Sequence, residues 1–163
     1  MSFGVALAVG ALGCLLIAVA SAFAGRPRRV ALRAVAALGW LWAAGVVGLT
    51  FGTRSGGGQA VNVELLDVTN SADVVDFLLN TLMFVPGGIF LAVVRGGFRR
   101  ACAAGFLASL TIEATQYLTA SGRTADVNDL LANTAGCAAG YLVAATLRDL
   151  FSRRVKAPFA SHF

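Results

Sequence analysis

The chain has 163 residues, 58% of them apolar and only 13% charged, and a mean hydropathy of +0.78. Such values lie far from those of a soluble domain and leave no room for a soluble module beside the apolar blocks. The net charge of +5 does not indicate nucleic acid, because the basic residues sit in short clusters between apolar blocks, where they orient a membrane protein.

Five apolar blocks of about 20 residues, the length of a helix crossing ~30 Å of hydrocarbon, predict helices over residues 3–24, 34–52, 76–94, 101–120 and 128–147. The expected fold is an all-α polytopic bundle of about five transmembrane helices. Its parts are two N-terminal helices (1–52), an outer loop (53–75), a three-helix core (76–147) and a basic tail (148–163). The first block ends in Ala22-Phe23-Ala24, which resembles a signal-peptidase site. No basic residue precedes it and four arginines follow, so the block reads as a retained helix.

The connections carry the topology. Arg26, Arg28, Arg29 and Arg33 follow the first block, Arg95, Arg99 and Arg100 the third, and Arg148, Arg153, Arg154 and Lys156 the last. The alternate connections carry only Arg54 and Arg123. The positive-inside rule then expects the N-terminus outside and the C-terminus in the cytoplasm of a bacterial plasma-membrane protein. Residues 53–75, flexible at RSGGGQ, would lie outside. Pro86, followed by Gly87 and Gly88, predicts a kink or break in the third helix. Trp40 and Trp42 fit an aromatic belt.

On this topology, polar residues distant in sequence collect at one depth on the outer side. They are Asp76 and Asn80 on the third helix, Glu113 and Gln116 on the fourth, Arg123 in the following loop, and Asp126, Asp129 and Asn133 at the start of the fifth. Mostly small residues continue each stripe: Ala101, Gly105 and Ser109 below Glu113, Gly136 and Gly140 below Asn133, and Met83 and Gly87 below Asn80. These stripes are expected to face one another. An ionised carboxylate at that depth costs about 2.5–3.5 kcal/mol on insertion scales unless paired. Arg123 is the expected counter-ion.

The run D76-x-x-x-N80, F84-V-P-G, R95, S109, E113-x-x-Q116, R123-x-x-D126-x-x-D129-x-x-x-N133-T134-x-G136 resembles the VanZ-like family of bacterial membrane proteins over residues 62–140. Two departures stand out. The stretch VNVELL offers Asn62 but lacks a Pro-Phe, and Gly87 and Gly88 directly follow Pro86. The resemblance implies a link to teicoplanin, a lipid-bearing glycopeptide, against which the founding member is associated with low-level resistance.

Three functional readings follow. The eight polar residues form a site for an envelope lipid, glycolipid or lipoglycopeptide. Or Glu113, with Asp126 or Asp129, serves as the acid and base of an intramembrane hydrolase or transferase. Or the cluster only fixes helix packing. No cofactor is expected and no metal, since Cys14, Cys102 and Cys137 are scattered in apolar blocks and the single histidine, His162, is nearly terminal.

Overall fold

The computed structural model describes residues 3–22, 27–52, 61–119 and 124–156. The end of the first predicted helix, residues 53–60 of the outer loop, Arg123 and the last residues of the tail therefore lie outside the described residues. Among those described, the chain forms five helices and two very short strands. In order they are α1 (Phe3–Ala22), α2 (Pro27–Gly52), β1 (Val61–Asn62), α3 (Ser71–Val93), α4 (Phe98–Leu118), β2 (Ala125–Asp126) and α5 (Val127–Lys156). The fold is all-α, as expected. Three helical stretches are long and apolar enough to cross a membrane: Arg33–Phe51, Ser71–Val93 and Val127–Arg153. In α1 the apolar stretch Gly4–Ile17 is shorter, and α4, which carries Arg99, Arg100 and Glu113, is not among the three.

Burial runs inside-out relative to a soluble protein. The buried set is rich in small and polar residues, among them Ala101, Ala132, Ser109 and Gln116, while Leu12, Leu15, Leu16, Leu82 and Val143 are exposed. With lipid as solvent there is no hydrophobic drive between helices, so close backbone approach and polar contacts hold them together.

The described chain divides into two compact units, one of Met1–Leu66 with Ala108–Leu130, the other of Asp67–Leu107 with Leu131–Phe163.

In the first unit α1 and α2 pack antiparallel. The Trp40 indole N–H donates to the Val9 carbonyl at 3.2 Å and the Cys14 thiol to that of Ala37 at 3.2 Å. Gly13 leaves the slot that the Trp40 ring fills. Trp40 thus joins two helices, a role its composition-based reading as a belt residue did not include. The second feature of this unit is a parallel bridge of β1 to β2, pairing Val61 with Ala125 and Asn62 with Asp126.

In the second unit the chain enters α3 through a turn in which Asp67 Oδ1 accepts both the N–H (2.8 Å) and the hydroxyl (2.7 Å) of Thr69. Those two bonds hold the Asp67 carboxyl below its ordinary pKa. The helix begins at Ser71, not near residue 76, because Asn70 caps it: its Oδ1 accepts the Ala72 N–H at 3.0 Å and its amide reaches Asp73 at 3.0 Å. The break expected at Pro86 does not occur; α3 runs unbroken to Val93. Neighbouring helices re-satisfy backbone groups around a membrane proline, and here α5 lies against the glycines that follow it. A side chain at Gly88 would strike the backbone of Cys137 and Tyr141, and one at Gly136 or Gly140 the backbone of Thr81 or Val85.

A Schellman motif ends α3. Gly96 N–H bonds to the Leu91 carbonyl at 2.7 Å and Arg95 N–H to that of Ala92 at 3.1 Å. Arg95 takes the left-handed position with φ 59°, where glycine is the usual occupant. Past residue 147, where it was expected to end, α5 continues to Lys156, since no glycine or proline intervenes before Pro158. Much of the basic tail is therefore helical.

Candidate functional site

The site grows from the start of α5. Asp126 immediately precedes the helix, and its Oδ1 accepts the Asn128 N–H at 2.7 Å, the bond of an N-cap. The same oxygen accepts from the Asn128 side chain at 2.9 Å, and Oδ2 accepts from Asn62 Nδ2 at 2.9 Å. Three donors thus converge on one carboxylate, at the end of a helix whose dipole favours negative charge. Asn128 reaches further: its Oδ1 accepts the Leu66 N–H at 2.9 Å and its amide donates to the Glu64 carbonyl at 2.8 Å. Asn62 Oδ1 closes the segment by accepting the Glu64 N–H at 3.0 Å. Residues 61–66 are thereby strapped to the entrance of α5.

Beneath the strap, Glu113 of α4 accepts the Asp126 N–H on Oε2 at 2.9 Å. Along α4, Ser109, Glu113 and Gln116 are buried on one face, 0%, 8% and 2% exposed respectively, as the predicted stripe required. The Ser109 hydroxyl donates to the Asp129 carbonyl and Gln116 Nε2 to the Thr50 carbonyl, each at 3.4 Å. In the deep part of the second unit, Gly105 leaves room for Cys137 and for the backbone of Asn133 and Thr134. Gln116 Oε1 and Asn133 Oδ1 are buried oxygens that accept no hydrogen bond, although both residues engage other groups.

Of the eight residues singled out from sequence, Glu113, Gln116, Asp126 and Asp129 belong to the first unit. A hydrogen bond joins Glu113 directly to Asp126. Asp76, Asn80 and Asn133 belong to the second unit. There Asn133 is buried and Asn80 half-buried, while Asp76 is exposed rather than turned inward with its stripe. Sequence reasoning missed Asn128 altogether and treated Asn62 only as part of an incomplete loop motif. The signal for Asn128 was present as D126-x-N128 at a helix start, a spacing that lets an N-cap aspartate meet both the backbone and the side chain two residues on.

A model of the VanZ/LLP1 family matches residues 34–148. The chain belongs to the VanZ/LLP1 family. Comparison with curated proteins and with solved structures found no match. The VanZ/LLP1 region includes Asn62, Glu113, Asp126 and Asn128, so the strap and the helix entrance it covers both lie within the family domain, whereas α1 lies outside it. Family membership and the apolar helices together make this a VanZ-like membrane protein.

Chemically, the VanZ/LLP1 cluster is an acceptor-rich patch of carboxylates and amides at a helix entrance. Such groups suit hydroxyl and amide donors on a ligand. Asp126 already has both oxygens engaged, by Asn128 and by Asn62.

Proposed function

We propose that this VanZ/LLP1 protein is a multi-pass protein of the bacterial plasma membrane, with its N-terminus outside and C-terminus in the cytoplasm. In this reading its polar cluster binds the headgroup of an envelope lipid or glycolipid at the outer leaflet. The observation that carries the proposal is Glu113: a carboxylate 8% exposed in a membrane protein, held against the entrance of α5. Intramembrane ionisable residues face cavities, partners or ligands because lipid cannot solvate them. Asp129, Gln116 and Ser109 supply further acceptors and donors of the type that sugar and amide headgroups need.

Between the other two readings, the arrangement favours packing over catalysis. The three donors on Asp126 serve the strap and the helix cap, which is a structural task. A general base with those bonds would have to break them first.

The test is glycopeptide susceptibility of a sensitive bacterium expressing the wild type or Glu113→Gln at matched membrane levels. Teicoplanin protection by the wild type alone, without vancomycin protection, is the expected result and ties the carboxylate to a lipid-linked activity. Equal protection by both proteins removes the charge of Glu113 from that activity. The lipids co-purifying with each protein, read by mass spectrometry, supply the second measure: a species retained by the wild type and lost from Glu113→Gln is expected.

A further inference from the structure

The second unit holds a cleft of roughly 490 Å³ lined by Arg95, Gly96, Tyr141, Arg148, Asp149 and Ser152. It lies where the C-terminal end of α3 meets the late turns of α5, and none of its residues belongs to the Glu113 cluster.

Four features give the cleft one chemistry. Arg148 is anchored, with Nη1 donating to the Ala92 carbonyl at 3.1 Å. The carbonyl end of α3 therefore fixes its guanidinium, which has further N–H donors, at the lining of the cleft. Arg95 occupies the left-handed position of the Schellman motif at φ 59°, although Gly96 and Gly97 follow directly and glycine would fit there without steric cost. An arginine kept in a glycine position is a local cost that points to a task for its side chain. Tyr141 adds a hydroxyl, and Ser152 adds another that donates to the Asp149 carbonyl at 2.9 Å. Phe98 packs on Tyr141 with ring centroids 6.1 Å apart, which brings in the start of α4, where Arg99 and Arg100 follow Phe98 and no acid occupies the first turn. Two arginines at the positive end of a helix dipole raise the local potential further. Among the described residues, the one carboxylate lining the cleft is Asp149, which meets Arg148 at 3.6 Å with its side chain 67% exposed. An exposed pair of that kind neutralises little.

Two arginines and the Tyr141 hydroxyl lining one cleft match a phosphate, which arginine holds bidentately. The neighbours of the cleft residues in sequence are apolar and exposed: Val94 at 56% beside Arg95 and Phe151 at 64% beside Ser152. A cationic cleft in a protein whose helices expose so much apolar surface fits a phosphate that carries acyl chains. We propose that this cleft binds the phosphate of an anionic phospholipid headgroup in the leaflet on the basic side of the protein.

The experiment titrates the full chain in neutral detergent with phosphatidylglycerol, phosphatidylcholine or inorganic phosphate, and counts bound lipid by native mass spectrometry. The proposal expects saturable binding of phosphatidylglycerol over phosphatidylcholine, weakened about fivefold in Arg95→Gln. It also expects recovery of most of that loss in Arg95→Lys, tighter binding in Asp149→Asn, and little change in Arg153→Gln, which removes an exposed charge outside the cleft lining. Unchanged phosphatidylglycerol binding in Arg95→Gln overturns the proposal. So does an equal loss in Arg153→Gln, which would reduce the effect to the general field of the basic tail. Arg95-dependent binding of inorganic phosphate, with no preference for phosphatidylglycerol, overturns the lipid assignment. Unchanged melting temperatures of Arg95→Gln and Arg95→Lys separate these results from misfolding.

Discussion

The N–H of Asp126 donates to Oε2 of Glu113 at 2.9 Å, across thirteen residues of sequence. In a capping box the N-cap N–H is taken by an acid at the third position of the same helix, which in α5 is Asp129. Here an acid from another helix takes that bond. The contact therefore fastens α4 to the entrance of α5 within the first unit while completing a helix cap.

From this follows a contrast between two substitutions. Glu113→Gln retains an oxygen able to accept the Asp126 N–H and should change stability by less than about 1 kcal/mol. Glu113→Leu leaves that N–H buried and unsatisfied, and should cost about 1–3 kcal/mol. Thermal unfolding of the detergent-solubilised proteins measures both. Equal losses would mean that the bond is not what Glu113 contributes.

Asn62 and Asp126 should behave as a matched donor and acceptor. Asp126→Asn sets two amide donors face to face, because Asn62 Oδ1 is already engaged by the Glu64 N–H. Asn62→Asp sets two carboxylates together. Each is expected to cost about 1–3 kcal/mol. The double exchange restores every bond and should recover most of the loss, a coupling that a double-mutant cycle reads directly. Additive losses would show that the pair is not coupled.

Arg95→Gly should stabilise the protein by roughly 1 kcal/mol, since glycine adopts the left-handed conformation without the side-chain clash. The same variant should bind less anionic lipid. A rise in melting temperature accompanied by weaker phosphatidylglycerol binding would expose the trade between a relaxed turn and a working cleft.

At the α3–α5 contact, Gly136→Ala and Gly140→Ala each drive a methyl into the backbone of the facing helix. A loss of about 1–3 kcal/mol or more is expected from such overpacking. Gly45→Ala is the control, because nothing lies within 4 Å of its added carbon. In that helical position it should gain about 0.5–1 kcal/mol. Melting temperatures that shift alike in all three would refute the close approach.

The turn before α3 carries a pH dependence. Thr69 lowers the pKa of Asp67 in the folded chain through its hydroxyl and its N–H. Its contribution is therefore complete above the ordinary value of 3.8 and disappears as pH falls through the lower folded-state value. An NMR titration of the Thr69 amide should show this transition below 3.8, and Asp67→Asn should abolish it. A midpoint at or above the ordinary value would contradict the bonds.

Much of the architecture was legible because the membrane restricts the choices. Blocks of apolar residues near the length of a bilayer can only be helices. Small residues repeating at helical spacing had to mark close contacts, and Gly105, Gly136 and Gly140 do so, while on α3 the close approach falls at Gly88, which the predicted stripe did not include. The inward stripe of Ala101, Gly105, Ser109 and Glu113 is buried as its period required. The helix ends were less legible. At Ser71 the start depends on a cap made by Asn70, and at Lys156 on polar residues that continue a helix beyond its apolar part. Hydropathy registers neither.

The sequence by itself determined an all-α membrane protein of the VanZ/LLP1 family, the stripe that buries Glu113, and the glycine contacts. Composition and periodicity are set by the solvent each face meets, so they are written along the chain. Only the tertiary structure decided that Glu113 bonds to the backbone of Asp126, that Asn62 and Asn128 strap residues 61–66 to α5, and that Arg95 and Arg148 share a cleft. Those relationships depend on hydrogen-bond directions and on which distant segments meet. No local period in the sequence encodes either.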